Sequence, residues 1–412
     1  MATTPKLSIC VPSRNRQYFF QKTIEGMLRN PRKDVQFVFA DNSDDPAIMN
    51  EFVAGLKDPR VIFLPSVDRT LSMLENWERT VAATTGDWVT VVGDDDHCEP
   101  DVIDVINTVR AKVPDLDAFA WGCISFLWPV EGEPRPKISI MTKNRILEVP
   151  QEIIFDRMFR WQGATHVPVS GFSIYHSAVS RSLLERIKKR YGGSYFEHPN
   201  VDYDMAMKVI VTGRRFVFCE RPFSIMGSCP KSNSFSIGRA EDAKKKHALF
   251  FRESRRNTDE DEEVRDFPFQ INAGLTAIIG QTQQWFKSKY KVKVKDWGAN
   301  FAKACAKNTE IFTNENDFNE SLSGYADAFS KWESGRYLKY YRPEFMPIDK
   351  RLSTTGFTED AVYVAGDIAD IKTPAELFDI VNAVTCPAKM IDFDPPSASD
   401  RMKKAIVQHR VA

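Results

Sequence analysis

The chain has 412 residues, with 56 Lys and Arg against 56 Asp and Glu, 42% hydrophobic and 12% aromatic residues. That apolar fraction excludes wholesale disorder, and at roughly 150 residues per domain the length points to two or three domains. Zero net charge argues against a protein that works by coating nucleic acid or an anionic membrane, while leaving room for a local basic face. No apolar run reaches the ~18 residues of a bilayer span, and the first residues lack the charged-then-apolar layout of a signal peptide. Seven cysteines (Cys10, Cys98, Cys123, Cys219, Cys229, Cys305 and Cys386) are dispersed without a CxxC pair. Such a set reads as reduced thiols in the cytoplasm rather than a disulfide framework or a zinc site.

The first 130 residues alternate regularly. A β-branched run at 7–11 ends at Pro12 and is followed by Phe20, Ile24, Met27 and Leu28 at helical spacing. The pattern then predicts a strand at 35–40, stopped by the turn residues 41–46, a short helix at 49–56 and a strand at 61–64. Leu74, Trp77 and Val81 mark a helix closed by Gly86, and 88–92 is a fourth strand. Gly93-Asp94-Asp95-Asp96 follows, then a helix opened by Pro100. Further on, 118–126 reads as a strand, 151–161, 177–189 and 202–211 as helices, and 216–218 as a closing strand. Dense mixed charge between 239 and 266 reads as a solvated helix or linker. Beyond it lie two apolar helical stripes (Ile271, Leu275, Ile278, Ile279; and Phe318, Leu322, Tyr325, Phe329, Trp332), most simply core, and a capping box at Thr373-Pro374-Ala375-Glu376. The expected organisation is an α/β unit at 1–240, a charged helical linker at 241–266 and a mainly helical region at 267–412.

Strand-helix repetition implies a parallel sheet with helices on both faces, and ligands bind such sheets at the carboxyl ends of the strands. Polar residues gather at three of those ends: Ser13-Arg14-Asn15, Asp41, and the aspartate triplet. The pattern therefore predicts one crevice built from separate segments. Three adjacent acids repel one another. A solvent-exposed acidic turn would explain them without function, but their place directly after an apolar strand suits a divalent cation completed by substrate phosphates. No Walker loop is present, which removes the P-loop NTPases. A nucleoside diphosphate is then the natural ligand. Asp41 and Asn15 suit base and ribose, and Arg14 or Arg69 suits phosphate.

At this point the residues resemble a known family. Leu7-Ser8-Ile9-Cys10-Val11-Pro12-Ser13-Arg14-Asn15-Arg16 is similar to the V-S-I-V-I-P-x-x-N-R opening of family two glycosyltransferases of the GT-A fold. Residues 37–43 resemble that family's second strand ending in D-N/D-x-S, and Gly86-Asp87-Trp88-Val89 with Asp94-Asp95-Asp96 resembles its G-D/E-Y-I…D-D-D segment, the DxD motif. Val201-Asp202-Tyr203-Asp204-Met205 is similar to the E-D-x-D-L stretch that carries the base, with Val201 in place of the usual acid. The likeness spans about residues 5–238 in order.

The resemblance implies a GT-A Rossmann-like sheet followed by a mainly helical region. It also implies inverting transfer of a sugar from a nucleotide-sugar, often UDP-linked, to a hydroxyl acceptor. Pro12, Arg14, Asn15 and Asp41 would lie at the nucleotide, Asp94 or Asp95 at ribose and sugar, and Asp96 (with Asp94) at Mn2+ or Mg2+. Asp202 would be the base, with Asp204 and Glu197 as rivals. The late histidine that many GT-A enzymes add to the metal has no counterpart in 225–234. Lys231 is the candidate for the diphosphate there, with Ser232 or Asn233 on a loop closing over donor. His97 is a weaker candidate ligand, and His166, His176, His198 and His247 read as ordinary surface or core. Trp121, Trp128 and Trp161 fall where such enzymes bind acceptor, although core is the commoner place for Trp. Nucleotidyl transfer on the same fold and a non-catalytic binding module are the competing readings. A modified nucleobase acceptor would use Lys244–Lys246, Arg252, Arg255 and Arg256, whose charge neighbouring acids nearly cancel. The helical region would shape acceptor choice or a homo-oligomer contact.

Overall fold

The alternation in β1 (Leu7–Ser13) sets two faces of a sheet, because successive side chains in a strand point to opposite sides. Leu7, Ile9 and Val11 join one buried cluster, while Cys10 joins the other. In this computed structural model residues 5–163, 166–232, 252–269, 274–347 and 356–394 are described.

The strands are β1, β2 (Val35–Asp41), β3 (Val61–Leu64), β4 (Trp88–Val91), β5 (His97–Cys98), β6 (Ala118–Leu127), β7 (Ile138–Met141), β8 (Ile146–Glu148), β9 (Ser177–Ser180) and β10 (Phe216–Ser228). Two further strands are β11 (Gly356–Phe357) and β12 (Ala361–Val364). The main sheet runs β3-β2-β1-β4-β9-β6-β10-β5, with β8 on β10; β11-β12-β7 form a small second sheet. It is mixed rather than wholly parallel, because β9 lies antiparallel between β4 and β6. β9 is the part of the expected helix 177–189 that proved otherwise. Its four residues are buried, and Ser180 then caps the helix Arg181–Arg190 by accepting the N–H of Leu183.

Helices α1 (Gln17–Leu28), α2 (Ala47–Gly55), α3 (Met73–Ala82) and α4 (Val102–Lys112) follow the expected strand-helix order. Pro12 does not end β1: the pairing with β4 stops at Cys10, so no ladder donor is missing there. Gly86 does not close α3, which ends at Ala82. A Cβ on Gly86 would meet the Ser8 backbone N at 2.8 Å, so the glycine serves close approach to β1.

β10 is the largest departure: the three expected residues belong to a 13-residue strand beside β6. Its register slips between Cys219 and Ser224. Gly122 lies opposite, where a Cβ would come within 2.6 Å of the Glu220 carbonyl oxygen. A bulge of this kind re-aims the strand, here sending Ser224 to Ser228 toward the end of β4.

α1 and α4 cover one face of the sheet. α5 (Gln151–Phe159), α6 (Arg181–Arg190) and α7 (Val201–Thr212) cover the other. The same buried cluster continues into the helices Leu275–Tyr290, Trp297–Thr309 and Glu315–Lys331, where Phe267, Phe269, Phe301, Phe329 and Trp332 pack together. The C-terminal region is thus largely helical, as expected. The charged stretch enters the description at Arg252 and carries two short 3-10 turns, Thr258–Glu260 and Glu262–Val264. Ile271, Asn233, His247 and Lys244–Lys246 lie outside the described residues. The chain then returns: helix Pro374–Val384, with both bonds of the expected capping box, docks on α1 and β10.

Candidate active site

The three polar strand ends meet. Ser13 at the tip of β1 donates its hydroxyl to Asp94 Oδ2 at 2.6 Å, and its carbonyl accepts the N–H of Asn42 at 3.0 Å. Asp41 is buried and already bound, by the Ser43 hydroxyl of its own turn at 2.6 Å and by the Ser66 hydroxyl just past β3 at 2.8 Å. Arg14 and Asn15 both reach Asp44, at 3.1 and 2.8 Å, and Asn15 stands at φ 55°, a left-handed turn conformation that Asn tolerates. Arg14 also binds the Asn42 carbonyl and Glu253, which arrives from the charged stretch.

All three acids of the triplet are buried. Gly93 allows Asp96 to fold back, since a Cβ there would lie 2.8 Å from Asp96 Oδ2, the atom its N–H instead donates to at 2.6 Å. The same oxygen accepts from Tyr175 and His176, each at 2.9 Å, and Asp96 Oδ1 accepts the N–H of Gly227 at 2.7 Å. Asp95 Oδ2 accepts the N–H of Cys229 at 2.9 Å. Gly227 is obligatory, because any Cβ would fall 1.7 Å from the Asp95 carbonyl oxygen. The remaining oxygens, Asp94 Oδ1 and Asp95 Oδ1, face the Arg16 guanidinium at 2.9 and 3.4 Å.

Burial pushes the Asp94 carboxyl up to about 7 even with Arg16 beside it, and raises Asp95 for the same reason. Asp96 goes the other way: burial opposes its charge, but His176 and the two glycine N–H groups hold it below the ordinary value. For His176, burial disfavours the cation, yet Cys123 and Asp96 raise it to about 10. As arranged, the triplet does not fit a divalent ion. Asp96 already accepts four protein hydrogen bonds, three at Oδ2 and one at Oδ1, and no group of three metal-binding side chains converges among the described residues.

The second acidic group surrounds the start of α7. Asp204 is fully buried and pairs with Lys208 at 3.0 Å while accepting the N–H groups of Glu197 and His198. Glu197 is held by Lys208 at 3.2 Å, Lys289 at 3.1 Å and the Tyr290 hydroxyl, which together keep its carboxyl low against burial. Asp202 differs. Its side chain accepts backbone N–H groups alone, those of Tyr203 and of Asp202 itself, and no cation stands beside it among the described residues; burial raises its pKa, as it does that of Asp204. Ser173 ties the Asp202 backbone to the segment carrying Tyr175 and His176, and so to Asp96.

Of the other expected residues, Pro12 sits inside β1 opposite Ala40. Arg69 is exposed and bound to Glu75 at 2.7 Å, away from the triplet. Lys231 reaches the Asn15 carbonyl at 3.3 Å. His97 is buried under the C-terminal helix, 5.1 Å from the Phe378 ring. Trp121, Trp128 and Trp161 are core, although the Trp128 indole N–H binds the Asp95 carbonyl. Arg255 and Arg256 point at protein partners, the Thr70 carbonyl and Asp261. His176 reverses its reading as ordinary surface or core: it reaches Asp96 from β9's approach, at φ 52°, with no motif around it to announce the contact. Arg16 and Tyr175 were missed as site residues; Arg16 stood in the opening motif without a role.

Residues 8–184 match the family model described as Glycosyl transferase family 2. The match spans less than half the chain and contains β1 from Ser8 on, β2, β4 and the triplet. No curated protein matches. Among solved structures, the chain is similar to S. aureus TarS 1-349 in complex with UDP-GlcNAc, at 13% identity over 82% of this chain and 89% of that one, TM-score 0.42. It is also similar to the mannosyltransferase PcManGT from Pyrobaculum calidifontis in complex with GDP-Man and Mn2+, at 14% identity over 82% and 85%, TM-score 0.35. These superpositions are loose, and the chemistry of the site follows from its own residues.

Proposed function

We propose that the chain transfers a sugar from a nucleoside diphosphate sugar to an acceptor hydroxyl, with inversion, and that Asp202 is the general base. One observation carries the role of Asp202: of the three acids around the start of α7, it alone has no cation beside it among the described residues. A base must be free to accept a proton, and a pKa raised by burial brings it toward its working range. Direct displacement places that base on the acceptor side of the anomeric carbon and leaving-group stabilisation on the other. The nucleotide would lie over Pro12, Asn15 and Asp41, with the triplet facing ribose and sugar. Residues 1–240 would form the catalytic unit and the helical region at 267–412 would shape acceptor choice. Among the described residues no helix is long and apolar enough to cross a membrane.

The test is nucleoside diphosphate release from UDP- and GDP-sugars, with and without a panel of hydroxyl acceptors. Transfer is expected to release nucleoside diphosphate, with Asp202→Asn folded and silent. Pyrophosphate release would instead show nucleotidyl transfer, and donor binding without turnover would show a binding module.

A further inference from the structure

We propose that Arg16 is a built-in cation that holds the donor diphosphate at the acidic triplet, so that nucleotide binding needs no divalent ion. The inference rests on the transfer reading above. It starts from what the carboxylates are doing. A divalent ion at such a site takes carboxylate oxygens and completes its shell with water and phosphate. Here the two oxygens of Asp96 accept four protein hydrogen bonds, Asp94 Oδ2 accepts from Ser13 and Asp95 Oδ2 from the N–H of Cys229. Only Asp94 Oδ1 and Asp95 Oδ1 remain, and one guanidinium spans both.

An ion entering at those two atoms would put a dication where a cation already stands. The Asp94 side chain is fully buried and that of Asp95 nearly so, at 0% and 5% exposure, so screening by water would be weak. The Arg16 side chain is itself 23% exposed. A guanidinium has five N–H donors in a planar fork, and two carboxylates with the Cys229 sulfur leave part of that fork free. A diphosphate arriving from the crevice is the matching partner, because planar two-point binding of phosphate is what Arg does and a point charge does not. The carboxylates fix the guanidinium, and the guanidinium receives the phosphate. The N–H groups of Gly227 and Cys229, which lock Asp96 and Asp95, hold the acids in register for it.

The test is calorimetric titration of the full chain with UDP and with GDP, each in EDTA and in excess Mn2+. The better-binding nucleotide is expected to show a Kd within about threefold between the two conditions. Arg16→Gln is expected to weaken binding in EDTA by about tenfold or more and, with the carboxylates uncovered, to recover part of it on adding Mn2+. Arg16→Lys, which keeps charge without the fork, should fall between, and it carries the test if the glutamine variant does not fold. Electron paramagnetic resonance of free Mn2+ gives an independent reading: the wild type should leave the ion in solution and Arg16→Gln should take it up. Nucleotide binding that requires Mn2+ in the wild type, or unchanged binding by both Arg16 variants, overturns the inference alone. No binding of either nucleotide in either condition overturns the transfer reading and the inference together.

Discussion

Two acidic groups are joined through the segment carrying Ser173, Tyr175 and His176, and their members have opposite fates. At 94–96 every acid is held, by Arg16, Ser13, His176, Tyr175 or backbone N–H groups. Around α7 Lys208, Lys289 and Tyr290 take Glu197 and Asp204, while among the described residues Asp202 has backbone N–H groups but no cation. A buried charge removed from water must find a partner or shift its pKa. An acid that has found partners holds the framework, and an acid that has not is available for proton transfer. Motif position alone does not separate Asp202 from Asp204, two residues apart on one helix.

The largest effect expected from this contrast is on turnover. Asp202→Asn should lower kcat by about 10²–10⁴-fold, read as nucleoside diphosphate release, while donor affinity is kept. The same variant sharpens the point through pH. Burial holds the Asp202 pKa above its unfolded value, so the native state favours the protonated form and Asp202 costs stability as pH rises through that window. The swap to Asn should therefore be neutral or stabilising at pH 7 in urea melts. Wild-type kcat should fall on acidification through the same window, and a kcat independent of pH there would count against the base.

Asp204→Ala is expected to do the reverse. It leaves Lys208, fully buried, with Glu197 as its one carboxylate beside the Tyr195 carbonyl, and should cost about 3–5 kcal/mol of unfolding free energy. Replacing Asp204 and Lys208 together by apolar residues should recover much of that loss; a double variant as unstable as the single would break the comparison. Next in size is His176→Gln, which removes one of four donors from a buried carboxylate and should cost about 1–3 kcal/mol. Its folded pKa of about 10 lies above the unfolded value near 6.5. The stabilisation is therefore complete below about pH 6.5 and is lost as pH climbs toward 10. Wild type and variant should converge in stability over that span. Smallest is Arg69→Ala: an exposed pair with Glu75 is worth little, and the melting temperature should barely move.

The strand-helix alternation was legible because apolar runs of β1, β2 and β4 are bounded by turn residues, and the three polar ends could be placed on one edge from topology alone. β9 was not, since Ser-Ala-Val-Ser gives four small residues and no period long enough to separate strand from helix start. β10 was cut short because its bulge interrupts the alternation at Arg221 and Pro222. At the site, the acids were visible as residues but not their partners. That His176 meets Asp96 and Gly227 meets Asp95 depends on long-range register, which no local pattern encodes.

The returning helix Pro374–Val384 gives the chain's far end a buttressing role. Asp379 clasps Arg29 at the end of α1, Asn382 and the Cys386 carbonyl clasp Arg221 at the bulge of β10, and a Cβ on Gly26 would lie 2.6 Å from that of Ala375. α1 begins one residue after Arg16, and β10 ends one residue before Cys229. The chain's own tail thus braces, from behind, the two elements whose tips grip the aspartates. A protein shortened ahead of Pro374 would lose the prop behind its triplet, with every residue of the crevice still in place in its sequence.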